Sequence, residues 1–204
     1  MPILRRSDEQ LVSQVRLGDE RAFEAVVGRY RAPLLAFCRS MMGSREDAED
    51  ALQEVFTSAH RALRADDRPV ALRPWLYRIA RNRCLNQMRR RRPVGMDSMD
   101  DFVRVGGEAE EAVERRESFR ELVEDLRALP ERQRAAIVMR EVGGLGWVEI
   151  GEALDATIPS VKSLLVRARV NLAEARMERE REMAAPVAVR PLRPAGKTAA
   201  AVAA

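Results

Sequence analysis

Aromatic residues, cysteine and histidine are scarce in this sequence. Aromatic residues make up 4% of its 204 residues, and it has two cysteines and one histidine. Cys38, Cys84 and His60 do not have the spacing of a zinc site, so we interpret the cysteines as small core residues rather than as redox or metal-binding groups. The sequence also lacks a phosphate-binding P-loop and any pairing of a nucleophile with a base. These absences argue against a nucleic-acid enzyme, and we expect no catalytic residues, no metal and no cofactor.

Long apolar segments are missing as well. No apolar run approaches the ~20 residues that cross a bilayer, and the first residues lack the apolar segment of a signal peptide, so we expect a cytoplasmic protein without membrane insertion. Runs of Val, Ile and Thr with the alternation of a strand do not stand out either. Charged residues make up 33% of the chain, and Ala, Leu, Arg and Glu, which favour helix, are abundant. The composition predicts an all-α fold.

The most informative segment is strongly basic. Between Arg73 and Arg92 the chain carries eight arginines and no acidic residue. Apolar residues recur there every four positions, which predicts one buried stripe of a helix: Leu76, Ala80, Cys84 and Met88. The opposite face carries Arg78, Asn82, Asn86 and Arg89. Arginines hold phosphates and asparagines present amides to bases, whereas ordinary surface helices mix charges of both signs. This helix is therefore predicted to bind nucleic acid.

A second predicted helix, which precedes the basic one, has an acidic edge. Its apolar stripe runs from Ala48 to Leu63, and a separate stripe carries Asp47, Asp50 and Glu54 beside Gln53. Such an edge is usually only solvated. Because the next helix is intensely basic, the edge also suits a positively charged protein partner.

Composition divides the chain into four parts. Residues 1–92 form a helical N-terminal domain. Residues 93–115 are predicted to be a flexible linker, because residues 93–114 hold seven acidic residues against one arginine and too few large apolar residues to fold alone. Helical periodicity returns over residues 116–183, which form a second small domain. Residues 184–204 are rich in alanine and proline and are predicted to be disordered.

The second domain contains the pattern of a helix-turn-helix. One short helix is predicted over Trp147–Leu154, and Thr157 is placed to cap the next. The second helix is predicted to point four polar residues outward, in the arrangement that inserts a recognition helix into the major groove: Lys162, Ser163, Arg167 and Arg169. Helical hairpins are common and many bind nothing, so this segment alone leaves DNA binding open.

Together the two motifs resemble the bacterial extracytoplasmic-function (ECF) sigma factors. The segments GSREDAEDALQEVFTSAHRAL and RPWLYRIARNRCLNQMRRRR resemble the promoter-melting domain of this family. The segment LPERQRAAIVMREVGGLGWVEIGEALDATIPSVKSLLVRARVNLAEA resembles its reader of the upstream promoter element. The likeness covers most of residues 8–177. It implies a non-catalytic subunit that joins core RNA polymerase, directs it to specific promoters and helps to open the strands.

The resemblance also assigns residues to surfaces. The residues that should dock on the coiled coil of the largest polymerase subunit are Asp47, Asp50, Gln53 and Glu54. The basic helix should lie over the minus-ten element, with arginines on phosphates and asparagines on bases of the non-template strand: Arg78, Arg81, Asn82, Asn86 and Arg89. Residues 64–73 match the loop that captures an unstacked base. The residues that should read the minus-thirty-five element of promoter DNA are Lys162, Ser163, Val166, Arg167 and Arg169. By analogy, an anti-sigma factor that covers both domains is expected as a partner.

Three residues depart from the family pattern. At the position of Asp155 the family commonly has glycine. It commonly has another small flexible residue where this chain has Pro159, and arginine where this chain has Leu164. Leu164 removes a phosphate or base contact and Pro159 stiffens the reading helix, so the promoter sequence does not transfer from relatives. The main alternative is a two-domain regulator that binds an operator through residues 147–169 and dimerises through its N-terminal helices. That alternative leaves the basic helix and the acidic linker without a role.

Overall fold

The computed structural model describes residues 6–42, 44–90 and 121–184, which form eight helices and no strands. The helices are α1 (Asp8–Arg16), α2 (Glu20–Met41), α3 (Arg45–Ala65), α4 (Leu72–Arg90), α5 (121–128), α6 (Glu131–Glu141), α7 (Trp147–Leu154) and α8 (Ile158–Ala184). The all-α prediction is confirmed. The predicted linker, residues 93–115, lies outside the described residues, and so does the predicted tail apart from Ala184, which ends α8.

The N-terminal domain is a bundle of α1 to α4. The predicted stripe of α4 faces its core: Leu76, Ala80 and Cys84 are fully buried, and Met88 packs partly buried against them. Cys84 meets Cys38 of α2, and both thiols are free and buried. Both cysteines therefore lie in the core, as their positions in apolar stripes predicted.

Helix α1 has a sequence signal that apolar periodicity alone did not reveal. The Ser7 hydroxyl accepts a hydrogen bond from the backbone of Gln10, and the Gln10 side chain accepts one from the backbone of Ser7. This reciprocal capping box satisfies backbone donors that the first turn leaves unpaired. Leu11, Val12 and Val15 then bury one face of this short helix.

The C-terminal domain is built from α5 to α8, with α7 and α8 forming the helix-turn-helix. Helix α7 spans Trp147–Leu154, the range that the sequence predicted. The Thr157 hydroxyl accepts a hydrogen bond from the backbone N–H of Ser160 at 3.4 Å, which confirms the predicted cap of α8. Asp155 ends α7 in the left-handed region, with φ +50°. A left-handed residue at the end of a helix explains why glycine suits this position.

The two domains pack directly against each other. Helix α6 contacts α2, and α7 contacts α4, so that a single hydrophobic core runs through both domains. The turn between α6 and α7 comes very near to α4, because a Cβ on Gly143 would lie 2.6 Å from the Tyr77 hydroxyl. Only a glycine lets the turn pass so near to α4.

Candidate nucleic-acid interface

Helix α4 presents its polar face to solvent beyond the domain contact. Asn82, Asn86 and Arg89 are all exposed. Asn82 and Asn86 are four residues apart and therefore lie one above the other on the same side of the helix. We call these three residues the reading face. The buried stripe on the other side of α4 fixes the direction in which the reading face points.

Two of the arginines predicted for the minus-ten element, Arg78 and Arg81, contact the C-terminal domain, although Arg78 also remains exposed to solvent. The Arg81 guanidinium donates through Nε to Oε1 of Glu131 at 2.6 Å and through Nη2 to Oε2 at 2.8 Å. The Arg78 Nε donates to the backbone carbonyl of Glu152 at 2.9 Å. The planar fork of arginine matches a carboxylate and a phosphate equally well. Arg78 and Arg81, both predicted to bind phosphate, therefore lie on the same side of α4, but their partners in the structure are groups of the C-terminal domain.

Arg73, at the start of the same helix, also contacts the C-terminal domain. Its Nη2 donates to the carbonyl of Gly143, and its Nη1 lies 3.6 Å from Oε1 of Glu149. The resemblance includes Arg73 only as the last residue of the segment 64–73 that matches the base-capturing loop, and it predicts no individual contact for this arginine. Its membership of the basic segment was the available signal, but only the packing of α4 on α7 shows that it shares a face with Arg78 and Arg81.

The predicted base-capturing loop borders a cavity of about 730 Å³. Loop residues Pro69 and Val70 and the first turns of α4 line it, with half-buried Trp75 at one wall. Arg16 of α1 donates to the carbonyl of Arg68, which ties the loop to the bundle. An aromatic wall beside a cation is suited to a stacked base. Glu152 of α7 also lines this cavity, so the C-terminal domain closes one side of it.

The five residues predicted to read the minus-thirty-five element are all exposed on α8: Lys162, Ser163, Val166, Arg167 and Arg169. The Lys162 ammonium lies 4.5 Å from the centroid of the Trp147 ring. Arg169 forms an ion pair with Glu141 at 2.9 Å. Leu164 is half-buried against the core, so this departure from the family adds packing where an arginine is usual.

The acidic edge of α3 is only partly as predicted. Asp50, Gln53 and Glu54 are exposed, and we call these three residues the docking surface. The placement of Asp47 on that surface is wrong, because Asp47 is 4% exposed and accepts a hydrogen bond from the Gln87 amide of α4 at 3.2 Å. Asp47 faces the neighbouring helix, where its carboxylate joins α3 to α4.

An apolar groove that sequence reasoning missed lies beside the docking surface. It is a cavity of about 620 Å³ between α2 and α3. Phe23 and Phe56 form its floor, with ring centroids 6.4 Å apart, and Gln53 and His60 stand at its rim. The two phenylalanines were visible in the sequence, but whether they line one groove depends on how α2 packs on α3.

Within the described ranges, no group of three or more His, Cys, Asp or Glu side chains could hold a metal ion. No helix there has the length and apolar character required to cross a bilayer.

Comparisons with known proteins agree with this geometry. The family model for Sigma-70 region 2 matches residues 26–94, and that for Sigma-70, region 4 matches residues 119–172. The chain is 32% identical to the RNA polymerase sigma-H factor of Pseudomonas aeruginosa over 178 residues, covering 82% of this chain and 92% of that protein. It is 34% identical to the ECF RNA polymerase sigma-E factor of Escherichia coli over 174 residues, covering 80% of this chain and 91% of that protein.

Solved structures share the fold. CnrH, in complex with the cytosolic domain of CnrY, superposes with a TM-score of 0.63 at 26% identity, covering 80% of this chain and 93% of that chain. The sigma factor RpoE of Bartonella quintana, in complex with the anti-sigma factor NepR, gives a TM-score of 0.61 at 22% identity, covering 75% and 95%. The two family models match the basic helix and the helix-turn-helix, and the alignments span about nine tenths of each relative. The chain therefore belongs to the ECF sigma factors, which direct RNA polymerase to specific promoters for transcription initiation.

Proposed function

We propose that this sigma factor reads the minus-ten element with the reading face of α4 and the minus-thirty-five element with the exposed side of α8. The observation that carries the first assignment is the exposure of Asn82 and Asn86 on a basic helix whose other side is buried. Amides at this position can bond to base edges, while the flanking arginines hold the sugar-phosphate backbone. The protein acts without catalysing a reaction, because bond formation belongs to the polymerase.

Strand opening follows from capture of single-stranded DNA. Flipping a base from the duplex costs a few kcal/mol, and an enzyme or binding protein recovers this by stacking the base and neutralising phosphates. The cavity beside Val70 and Trp75 provides a wall for stacking, and the arginines of α4 provide the charge. Thermal opening of the duplex is then trapped without nucleotide hydrolysis.

Core polymerase binding is assigned to the docking surface, Asp50, Gln53 and Glu54. Three exposed polar residues on consecutive turns of α3, two of them acidic, complement a basic helical partner such as the coiled coil of the largest subunit. The groove floored by Phe23 and Phe56 adds apolar area next to these charges. A charged rim beside an apolar patch is the usual composition of a specific protein interface.

An anti-sigma factor is the proposed inhibitor. The structure of the Bartonella quintana protein holds the anti-sigma factor NepR, as its name states. We extend such a partner to this chain because its promoter-reading surfaces are exposed and need to be covered to silence them. We also place the protein in the cytoplasm, where bacterial core polymerase works.

Run-off transcription tests the function. The purified chain is added to core polymerase on a library of genomic promoter fragments, and promoter-specific transcripts are expected. Core polymerase alone is the control. Tight binding to duplex operators without any transcript would favour the regulator that binds DNA through residues 147–169.

A further inference from the structure

Arg16, the last residue of α1, contacts the predicted base-capturing loop from outside it. Its Nη2 donates to the backbone carbonyl of Arg68 at 2.5 Å, across 52 residues of chain. Arg16 precedes residues 26–94, the range that the Sigma-70 region 2 model matches. Helix α1 is fixed on the bundle by three buried side chains: Leu11, Val12 and Val15. Arg16 therefore joins the loop to a well-packed part of the N-terminal domain.

The loop is also held from within. The Asp66 carboxylate accepts hydrogen bonds from the Arg68 backbone N–H at 2.9 Å and from the Arg68 Nε at 2.6 Å. The hydrogen bond from the Arg68 side chain, with a smaller contribution from the charge of Arg16, lowers the pKa of Asp66. An aspartate that bonds to the backbone two residues later favours one turn conformation. The bond from Arg16 then places this turn against α1.

Arg16 has a second donor that no protein group uses. Its Nε is buried and has no hydrogen-bond partner among the described residues. Arg16 also lines the cavity of about 730 Å³ that Val70 and Trp75 border. Buried donors in folded proteins are nearly always paired, because an unpaired one loses its hydration without compensation. The Nε of Arg16 therefore marks the place in this cavity where an acceptor from a bound molecule fits.

The rest of the cavity suits a nucleobase. Trp75 is half-buried at one wall and offers an aromatic ring on which a base can stack. Small and apolar side chains make up much of the remaining lining: Ala62, Leu63, Ala65, Pro69 and Ala71. Every base carries a ring nitrogen or an exocyclic oxygen that accepts hydrogen bonds at its edge. A base stacked on Trp75 thus brings the acceptor that the Nε of Arg16 lacks.

We propose that Arg16 is a residue of the base-capture site: its Nη2 positions the loop through the Arg68 carbonyl, and its Nε donates to an acceptor on the edge of the captured base. This role rests on the proposed function of the cavity, the capture of an unstacked minus-ten base. It adds a contact from α1 to a site assigned to α4 and the loop before it. A loop that is already held in place also loses less conformational entropy when the base enters.

The first test measures the loop in the free, full-length chain by hydrogen–deuterium exchange. The peptide that contains Arg68 should exchange faster in Arg16→Met than in wild type, because the bond that holds the loop is lost. Arg21→Met removes the same charge from an exposed position of α2 and is the matched control. It should leave exchange of the loop unchanged. Thermal melting verifies that both variants remain folded.

The second test measures the base contact with core polymerase bound to the chain. The probe is a fluorescein-labelled fork of a promoter found by run-off transcription, with the non-template minus-ten strand left single. An abasic residue replaces each minus-ten base in turn, and anisotropy gives the affinity. The substitution that weakens wild-type binding most identifies the captured base.

Arg16→Met should bind the intact fork about 5- to 30-fold more weakly than wild type, as expected for the loss of a hydrogen bond from a charged donor. On the fork that lacks the captured base, the same variant should lose about 2-fold or less, because the two changes remove the same contact. Arg16→Lys keeps the charge without the planar fork of donors and should recover only part of the loss. Arg21→Met should match wild type on both forks.

Three results would overturn the role of Arg16. Unchanged exchange of the loop in Arg16→Met would show that Arg16 does not position it. Equal losses on the intact and the abasic fork would show that Arg16 does not act on the base. Full recovery by Arg16→Lys would show that a positive charge is sufficient.

Failure of base capture itself has a different signature. If no abasic position weakens wild-type binding, the cavity does not hold a minus-ten base, and the proposed role of Arg16 fails with it. If wild type shows such a position and Arg16→Met loses equally on both forks, the cavity keeps its function and only Arg16 is excluded from it.

Discussion

The ammonium of Lys162 lies over the ring of Trp147, 4.5 Å from its centroid. Trp147 begins the first helix of the helix-turn-helix and Lys162 lies in the first turns of the second, so the contact joins the two helices on their exposed side. A cation over an indole face is stabilised by the ring quadrupole, by about 0.5–1 kcal/mol at an exposed position. The ring holds a flexible side chain in one place before DNA arrives, which lowers the entropy that binding costs.

Replacing Trp147 by leucine should therefore weaken binding of the minus-thirty-five duplex by about 2- to 5-fold. Trp147→Phe keeps an aromatic face and should lose less. The measurement is anisotropy on a promoter fragment identified by run-off transcription. Val148→Ala, at the exposed neighbouring position, is the control. In a Lys162→Met background the Trp147 substitution should have no further effect, and a loss that persists there would contradict the role of the contact.

The double substitution Asn82→Ala with Asn86→Ala should impair strand opening more than promoter recruitment. Both amides are exposed on α4 and are assigned to unpaired bases, which exist only after melting. Permanganate reactivity of minus-ten thymines should fall by tenfold or more, if each lost base contact costs about 1 kcal/mol. Duplex binding of the upstream element serves as the internal reference. Equal losses in both measurements would remove the assignment to bases.

Charge reversal on the docking surface should weaken binding to core polymerase without lowering the thermal stability of the chain. Asp50→Lys with Glu54→Lys should lower the affinity for core polymerase about tenfold or more by opposing a basic partner, with little change in Tm. Asp47→Ala should do the reverse: it removes the buried partner of Gln87 and should lower Tm. Fluorescence titration with core polymerase and thermal melting measure the two effects. Loss of docking in Asp47→Ala at unchanged Tm would return Asp47 to the interface.

Replacing Asp155 by glycine should preserve the stability of the fold, whereas a residue with a branched Cβ should lower it. Its backbone has φ +50°, where side chains with a branched Cβ are strained. Asp155→Gly should raise the free energy of unfolding by up to about 1 kcal/mol, and Asp155→Val should lower it by about 1–2 kcal/mol. Urea denaturation of the full chain measures both. A Val variant as stable as wild type would mean that the turn adopts another backbone conformation.

The contact of Tyr77 with Gly143 predicts an asymmetric pair of variants. The Tyr77 hydroxyl is buried and has no hydrogen-bond partner among the described residues, and burial raises the pKa of Tyr77 to about 12. Removing an unpaired buried hydroxyl costs little, so Tyr77→Phe should be neutral or slightly stabilising. Gly143→Ala should lower the free energy of unfolding by about 1–3 kcal/mol, because its Cβ would also lie 2.7 Å from the Met139 carbonyl.

Thermal melting compares the two variants with the double variant. Tyr77→Phe should relieve part of the Gly143→Ala loss, since the carbonyl clash remains. A stable Gly143→Ala variant would contradict the close approach of the two domains at this turn.

The sequence by itself determined the family and most of the helices, with α1 as the exception. The stripe of α4, the bounds of α7 and the cap at Thr157 depend on neighbours within a few residues, and periodicity and capping report such local preferences directly. The two motifs and their order carried the sigma-factor resemblance for the same reason. A further local signal, the capping box of Ser7 and Gln10, was equally readable in the chain.

Only the tertiary structure decided what each polar residue faces. Asp47 belongs to the acidic stripe of α3 by spacing, yet the approach of α4 buries it against Gln87. Arg81 belongs to the nucleic-acid face by composition, yet the packing of the two domains gives it Glu131, 50 residues later in the chain. Periodicity states which residues share one side of a helix, but the partner of that side is set by how distant helices pack, and that depends on the whole core.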